Sequence, residues 1–99
     1  MKKILIIGSG CIGLSIGYEL SKIKKLKIYI VEKKGKFGLG NSTKNSEVIH
    51  SGVYYKKNSL KNSLCIDGKK LIYSFCNKHK IKIKKTGKIF FSTNKKEEK

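Results

Sequence analysis

Arginine, proline and tryptophan are missing from these 99 residues, and acidic residues number only six against 24 basic ones, all of them lysine. The resulting formal charge of +18 would ordinarily raise nucleic acid or an anionic membrane as a partner. A further absence argues against a specific nucleic-acid partner. The lysine-rich stretches lack interleaved aromatic side chains on which bases could stack, and the lysines are scattered over every segment. With Ile and Asn abundant, the missing Arg, Pro and Trp are what an A+T-rich coding sequence produces, so the charge reads as solvated surface. No apolar run approaches the roughly 20 residues that cross a bilayer, and Ile4 to Ile7 is too short for a signal-peptide core, which makes the cytoplasm the expected compartment. No Cys-x-x-Cys pair exists, which removes the common zinc and redox motifs, and no metal ligands are expected. Cys65 and Cys76, if on one helix, share a face but stand about 16 Å apart, too far for a disulfide. Cys11, Cys65 and Cys76 are therefore expected as reduced thiols. What remains, 38% hydrophobic and 30% charged, is not the composition of a disordered chain.

The stretch that organises the chain is Ile7-Gly8-Ser9-Gly10-Cys11-Ile12-Gly13. Before it, Lys3 to Ile7 is short, Ile-rich and almost wholly apolar, the pattern of a parallel strand covered on both faces. After it, Ile12, Ile16, Leu20 and Ile23 recur at helical spacing, while Glu19, Ser21 and Lys22 can face water. In this arrangement Gly8 permits a tight turn, Gly10 leaves room for a pyrophosphate, and Gly13 lets the helix pack closely on the strand. Backbone N–H groups at the helix start, with its dipole, form an anion site. Gly17 in mid-helix is most simply explained by close contact with a neighbouring strand. Beyond the turn at Lys24-Lys25, Leu26 to Val31 reads as a second strand, and Glu32 closes it. A carboxylate there accepts hydrogen bonds from adenosine ribose hydroxyls and repels a 2′-phosphate. A lone GxGxxG is weak, but strand, glycines, helix, strand and acid in this order within about thirty residues are the context the motif requires. The fold class expected is α/β, a Rossmann-like βαβ unit, and 99 residues is less chain than a complete sheet of this kind with its helices.

Downstream, Lys33 to Lys44 is a loop with Gly35, Gly38 and Gly40, and Asn41 to Ser46 could open a helical turn because Asn and Ser cap well. Val48 to Tyr55 reads as a strand interrupted at Gly52, where another backbone or a ligand comes close. Leu60 to His79 is the longest helix expected, capped by Ser59, with Leu60, Leu64, Leu71, Ile72, Phe75 and Cys76 as its apolar stripe. Ile81 and Ile83 alternate with lysines as in a half-buried strand, Lys88 to Ser92 is a further short strand, and Asn94 to Lys99 is solvated tail.

Gly40-Asn41-Ser42-Thr43-Lys44-Asn45-Ser46-Glu47-Val48-Ile49-His50-Ser51-Gly52-Val53-Tyr54-Tyr55 resembles the amino-terminal region of the FAD-dependent D-amino-acid-oxidase-like superfamily. Within it the strongest likeness is to the L-2-hydroxyglutarate oxidase and dehydrogenase family. That family's pattern is Asn-Ser, two variable residues, then Asn-Ser-Gly-Val-Ile-His-Ser-Gly, an aliphatic residue and Tyr-Tyr. The likeness continues through Ser59-Leu60-Lys61, Leu64-Cys65, Gly68, Leu71 and Thr86-Gly87-Lys88, nearly the whole chain. Glu47 departs from a family Gly, Lys44 from Arg or His, and Thr86 from Cys; at position 47 a backbone needing positive φ would be strained.

The resemblance implies FAD as cofactor and oxidation of L-2-hydroxyglutarate to the 2-oxo acid, with electrons passing to oxygen or to a quinone pool at the inner membrane. It implies that Gly8, Ser9, Gly10, Cys11, Ile12, Gly13, Glu32 and Lys33 hold the ADP half, that Asn41, Ser42, Asn45 and Ser46 lie along the pyrophosphate and flavin, and that His50 sits near the flavin and substrate. An imidazole there is a candidate base, since it titrates near neutrality, although it can equally serve only to pack and hydrogen-bond. Residues 1–99 would then be the amino-terminal part of an FAD-binding domain, with the substrate domain and the remaining carboxyl-terminal portion outside this chain. Such a part leaves a sheet edge open and apolar faces uncovered. The rivals are an NAD(P)-linked dehydrogenase fragment, and an inactive gene remnant or basic binding module.

Overall fold

The computed structural model describes residues 1–94; of the expected tail, only Asn94 falls among them. Two compact units divide between Glu47 and Val48.

In the first unit, strand β1 (Lys2–Ile7) leads through the glycine turn to helix α1 (Cys11–Ser21), and strand β2 (Leu26–Val31) returns parallel to β1. The register pairs Lys2 with Leu26 and Ile7 with Val31. Because strand side chains alternate between faces, Ile6 and Ile30 meet the same helix. Gly17 of α1 is buried against them: a Cβ there would lie 2.7 Å from Ile30 Cδ1 and 3.6 Å from Ile6 Cδ1. The mid-helix glycine is thus the close strand contact expected from the sequence. The helix stops at Ser21 rather than Ile23, where the chain turns back through Ile23 N–H to Leu20 O and Leu26 N–H to Ile23 O.

The expectation that β1 is covered on both faces is corrected. A single crossover helix covers one face, so Ile4 and Ile6 are half-buried while Ile7 on the other face is 85% exposed. Among the described residues no hydrophobic side chain is fully buried.

A short 3-10 turn, Asn41–Thr43, follows a long loop where a helical turn over 41–46 is expected, but Gly40 rather than Asn or Ser stands at its start and no side chain caps it. Glu47 ends the unit at φ +56°, with its N–H donated to Asn45 Oδ1 at 2.8 Å. An L side chain in this left-handed region is strained, so Glu47→Gly is expected to raise stability by about 0.5–1 kcal/mol, read as a shift of the urea midpoint.

The second unit is built on helix α2 (Leu60–Lys78), whose start is capped as expected: Ser59 Oγ accepts from Asn62 N–H at 3.2 Å. Val48 to Tyr55 is not a strand. Gly52 is buried at φ +85°, receives the Asn62 side-chain amide on its carbonyl at 3.0 Å, and would bring a Cβ to 3.1 Å from Asn62 O. Gly52 therefore marks close approach of another backbone, and the turn it makes, closed by Tyr55 N–H to Gly52 O, breaks the extended run. This contact also decides which face of α2 is covered. Asn62, Cys65, Tyr73 and Cys76 are half-buried, whereas Leu60, Leu64 and Leu71 of the expected apolar stripe lie on the opposite side, with Leu60 74% exposed. The expected strands at 81–83 and 88–92 are absent as well. Alternation supplies a face but not a partner, and no strand among the described residues pairs with them.

Candidate functional site

The first unit carries a cleft of about 680 Å³ at the carboxyl ends of β1 and β2. One wall is the glycine turn, with Ile7, Gly8 and Gly10; the second is the end of β2, with Val31, Glu32, Lys33 and Lys34; the third is the loop, with Gly38, Gly40, Asn41 and Ser42.

Gly8 turns at φ +105° and donates its N–H to Val31 O at 2.8 Å, which ties the two strand ends together. Gly13 cannot bear a side chain: its Cβ would collide with the carbonyl oxygen of Gly8. At Gly10 a Cβ would stand 2.9 Å from Ser42 Oγ, and that oxygen accepts the Cys11 N–H at 2.8 Å, a bond between residues 31 apart. Gly10 is thus small because the loop crosses directly over the helix start.

Further bonds hold the loop in place. Gly38 N–H donates to Ser9 O at 3.0 Å, Lys34 Nζ to Leu39 O at 2.9 Å, and Thr43 Oγ1 to Gly38 O at 2.7 Å. The Asn45 side-chain amide donates to Asn41 O and Ser42 O, both at 3.0 Å, and so closes the 3-10 turn.

Glu32 is the acceptor of the cleft. Its Oε2 accepts Ser9 N–H at 2.9 Å and Ser9 Oγ–H at 3.0 Å, and its Oε1 accepts Lys34 N–H at 3.0 Å. The Ser9 amide, then the Lys34 amide and the Ser9 hydroxyl, stabilise the charged form and hold the carboxyl down to about 2. Glu32 is therefore ionised at neutral pH. Beside it, the amides of Gly10, Ile12 and Gly13 have no protein acceptor among the described residues. Of these three residues Gly10 lines the cleft together with Glu32, so an anionic acceptor for hydroxyls and a free backbone donor at a helix start share one volume, the pair of features that the ADP half of a dinucleotide requires.

A sequence profile of the FAD dependent oxidoreductase family known as DAO matches residues 3–99. The chain belongs to this family of FAD-dependent oxidoreductases. FAD is its cofactor, and the geometry of the cleft fits that group. Among proteins similar to this DAO family chain are the mitochondrial L-2-hydroxyglutarate dehydrogenases of Dictyostelium discoideum and Arabidopsis thaliana. They are 44% and 39% identical over 95% and 94% of this chain. The L-2-hydroxyglutarate dehydrogenase of Indibacter alkaliphilus is 36% identical over 94% of it. The same matches cover 21%, 19% and 24% of those proteins, so the chain spans about a fifth of the length of the curated relatives it matches. No helix among the described residues is long and apolar enough to cross a membrane.

Of the residues singled out in the sequence, Gly8, Gly10, Glu32, Lys33, Asn41 and Ser42 line the cleft together. Ser9 is 6% exposed and stands behind the cleft wall, against Glu32. Cys11 contributes its amide to Ser42, Gly13 packs on the turn, and Ile12 is exposed. Asn45 acts by holding the 3-10 turn, while Ser46 is exposed and does not line the cleft. His50 is exposed and belongs to the second unit. Sequence reasoning missed Ile7, Val31, Lys34, Gly38 and Gly40 as lining residues. For Lys34 a signal existed, since an amide two residues beyond an acid can turn back onto it.

Proposed function

We propose that this chain supplies the ADP-binding part of an FAD-dependent enzyme that oxidises L-2-hydroxyglutarate to 2-oxoglutarate. The observation that carries the reading is the cleft that ionised Glu32 lines together with Gly8 and Gly10, at the helix start where the amides of Gly10, Ile12 and Gly13 lack a protein acceptor among the described residues. Glu32 accepts a ribose hydroxyl, those amides receive the diphosphate, and Asn41 and Ser42 close over it from the loop. Lys33 flanks the acid, and Asn45 and Ser46 continue toward the flavin side. FAD, when bound, supplies a two-electron acceptor for the alcohol carbon. His50 is the group of this chain suited to take the hydroxyl proton as hydride leaves C2.

The substrate assignment rests on the relatives' names; the Glu-bearing cleft, which disfavours a 2′-phosphate, supports FAD against NADP as the nucleotide. In this reading residues 1–99 are the amino-terminal part of the FAD-binding domain, and the substrate is bound by chain beyond them. The working enzyme belongs in the cytoplasm, passing electrons to oxygen or, at the inner-membrane surface, to a quinone pool.

Titration of the chain with ADP, followed by amide NMR, tests the cofactor half. Shifts are expected at Gly8, Gly10, Glu32 and Ser42, and FAD is expected to compete for the same site. Shifts with NADPH but none with ADP or FAD would overturn the reading. Purified Met1–Lys99 mixed with FAD and L-2-hydroxyglutarate is expected to show no turnover in an assay for 2-oxoglutarate, because the chain spans about a fifth of the length of the dehydrogenases it matches. Flavin-dependent turnover by this chain alone would contradict the division of labour proposed.

A further inference from the structure

Ser9 is buried, yet three of its polar atoms are engaged across the site. Its N–H and its hydroxyl both donate to Glu32 Oε2, and its carbonyl accepts Gly38 N–H from the loop. It does not line the cleft that Glu32 faces. A carboxylate oxygen has two lone-pair directions, so Oε2 is filled by Ser9, while Oε1 accepts the Lys34 amide and is the oxygen that Ser9 leaves unoccupied, with the Lys33 amide a weaker neighbour of the carboxyl.

We propose that Ser9 is a positioning residue: its hydroxyl locks the Glu32 carboxylate in one orientation and commits it to recognising the adenosine ribose through the single oxygen Oε1. This rests on the ADP-binding reading above and deepens it. Without the hydroxyl, Glu32 keeps both amide donors but loses the side-chain bond that fixes its rotamer. Ordering the acid then falls to the binding step, at a cost of about two- to tenfold in affinity. Lys33 and Lys34 are the other charged side chains lining this cleft among the described residues, and both are unchanged by a substitution at position 9.

The experiment uses the full chain and Ser9→Ala, which removes the hydroxyl while leaving both backbone bonds of residue 9 possible. Two readouts are taken. The first is the ¹³C titration of the Glu32 carboxyl by NMR, which needs no nucleotide. The native chain is expected to titrate near 2 and the variant visibly higher, toward the ordinary carboxylate range. The second is the affinity for ADP in a double-mutant cycle with Glu32→Ala. Ser9→Ala is expected to weaken ADP about three- to fivefold in the native background and to have no effect once Glu32 is removed.

An unchanged Glu32 titration in a variant that keeps the native amide spectrum overturns the proposal, as does an equal loss of ADP affinity in both backgrounds. Should the variant lose its native spectrum, Ser9→Thr, which retains the hydroxyl, is expected to keep the low titration, and a normal value there would equally overturn it. If the native chain binds no ADP at all, the cofactor reading fails, while the carboxyl titration still decides whether Ser9 governs Glu32.

Discussion

Gly13→Ala is expected to abolish nucleotide binding and to loosen the first unit. The added methyl would collide with the Gly8 carbonyl, a backbone atom at the tight turn itself, so relief requires α1 or the glycine turn to move. Overpacking of this kind costs about 3 kcal/mol when it must displace backbone. The displacement acts directly on the amides of Gly10, Ile12 and Gly13 at the helix start, so ADP affinity should fall by about a hundredfold or more. The control is Gly35→Ala. A methyl at Gly35 would meet nothing within 4 Å, and the backbone there has no left-handed φ. That substitution should be neutral or stabilising by about 0.5 kcal/mol, since it only restricts the unfolded chain. Urea midpoints and ADP titration of the two variants check both. Equal behaviour would mean that the contact between helix and turn does not govern the site.

Glu32→Ala has the second largest expected effect. It removes the carboxylate and leaves the Ser9 N–H, the Ser9 hydroxyl and the Lys34 N–H without their acceptor, and Ser9 has little access to water to compensate. ADP and adenosine are both expected to bind about ten- to a hundredfold more weakly, because the lost acceptor is charged and faces the ribose rather than the phosphates. The same residue sets an acid dependence. Its carboxyl lies at about 2 in the folded chain against an ordinary value of 4.5, so between these values the unfolded chain binds the extra proton. Stability from Glu32 is therefore complete above about pH 4.5 and is lost as the pH falls through about 2. Urea midpoints measured from about pH 6 to about pH 2 should drop in the native chain, and the part of that drop due to Glu32 should vanish in Glu32→Ala. Superimposable profiles would show that the acid is not tied to Ser9 and Lys34 in solution.

Both predictions start from residues that the sequence alone makes legible. Gly13 and Glu32 stand out because the chemistry that requires them is local in sequence: an apolar run, a turn, a helical period, a second apolar run and a terminal acid. Gly17 is legible for the same reason, since a glycine inside a helical pattern needs a close neighbour, and Ile30 is that neighbour. The departure at Glu47 is legible too, and its backbone is left-handed in the structure.

The loop is not legible in this way. Nothing local in Lys33 to Lys44 shows that Ser42 crosses 31 residues of chain to receive the Cys11 amide, or that Gly10 is small because of it. Ser9 is the sharper case: its place in the glycine fingerprint suggests direct contact with the cofactor, whereas it lies behind the wall and reaches the site through Glu32. In the second unit periodicity identifies α2 and its cap, but of the expected stripe Cys76 lies on the covered face and Leu60, Leu64 and Leu71 do not, because the contact with Gly52 lies outside the helix pattern.

The sequence by itself determined the order β1, α1, β2 with the glycine turn and the closing acid, since backbone preference and side-chain period act over a few neighbouring residues. Only the tertiary structure decided which atoms Glu32 has left to offer, how the loop covers the helix start, and which side of α2 is covered. Those outcomes depend on hydrogen bonds and contacts between residues distant in the chain, and a bond between Ser42 and Cys11 leaves no period in the sequence to read.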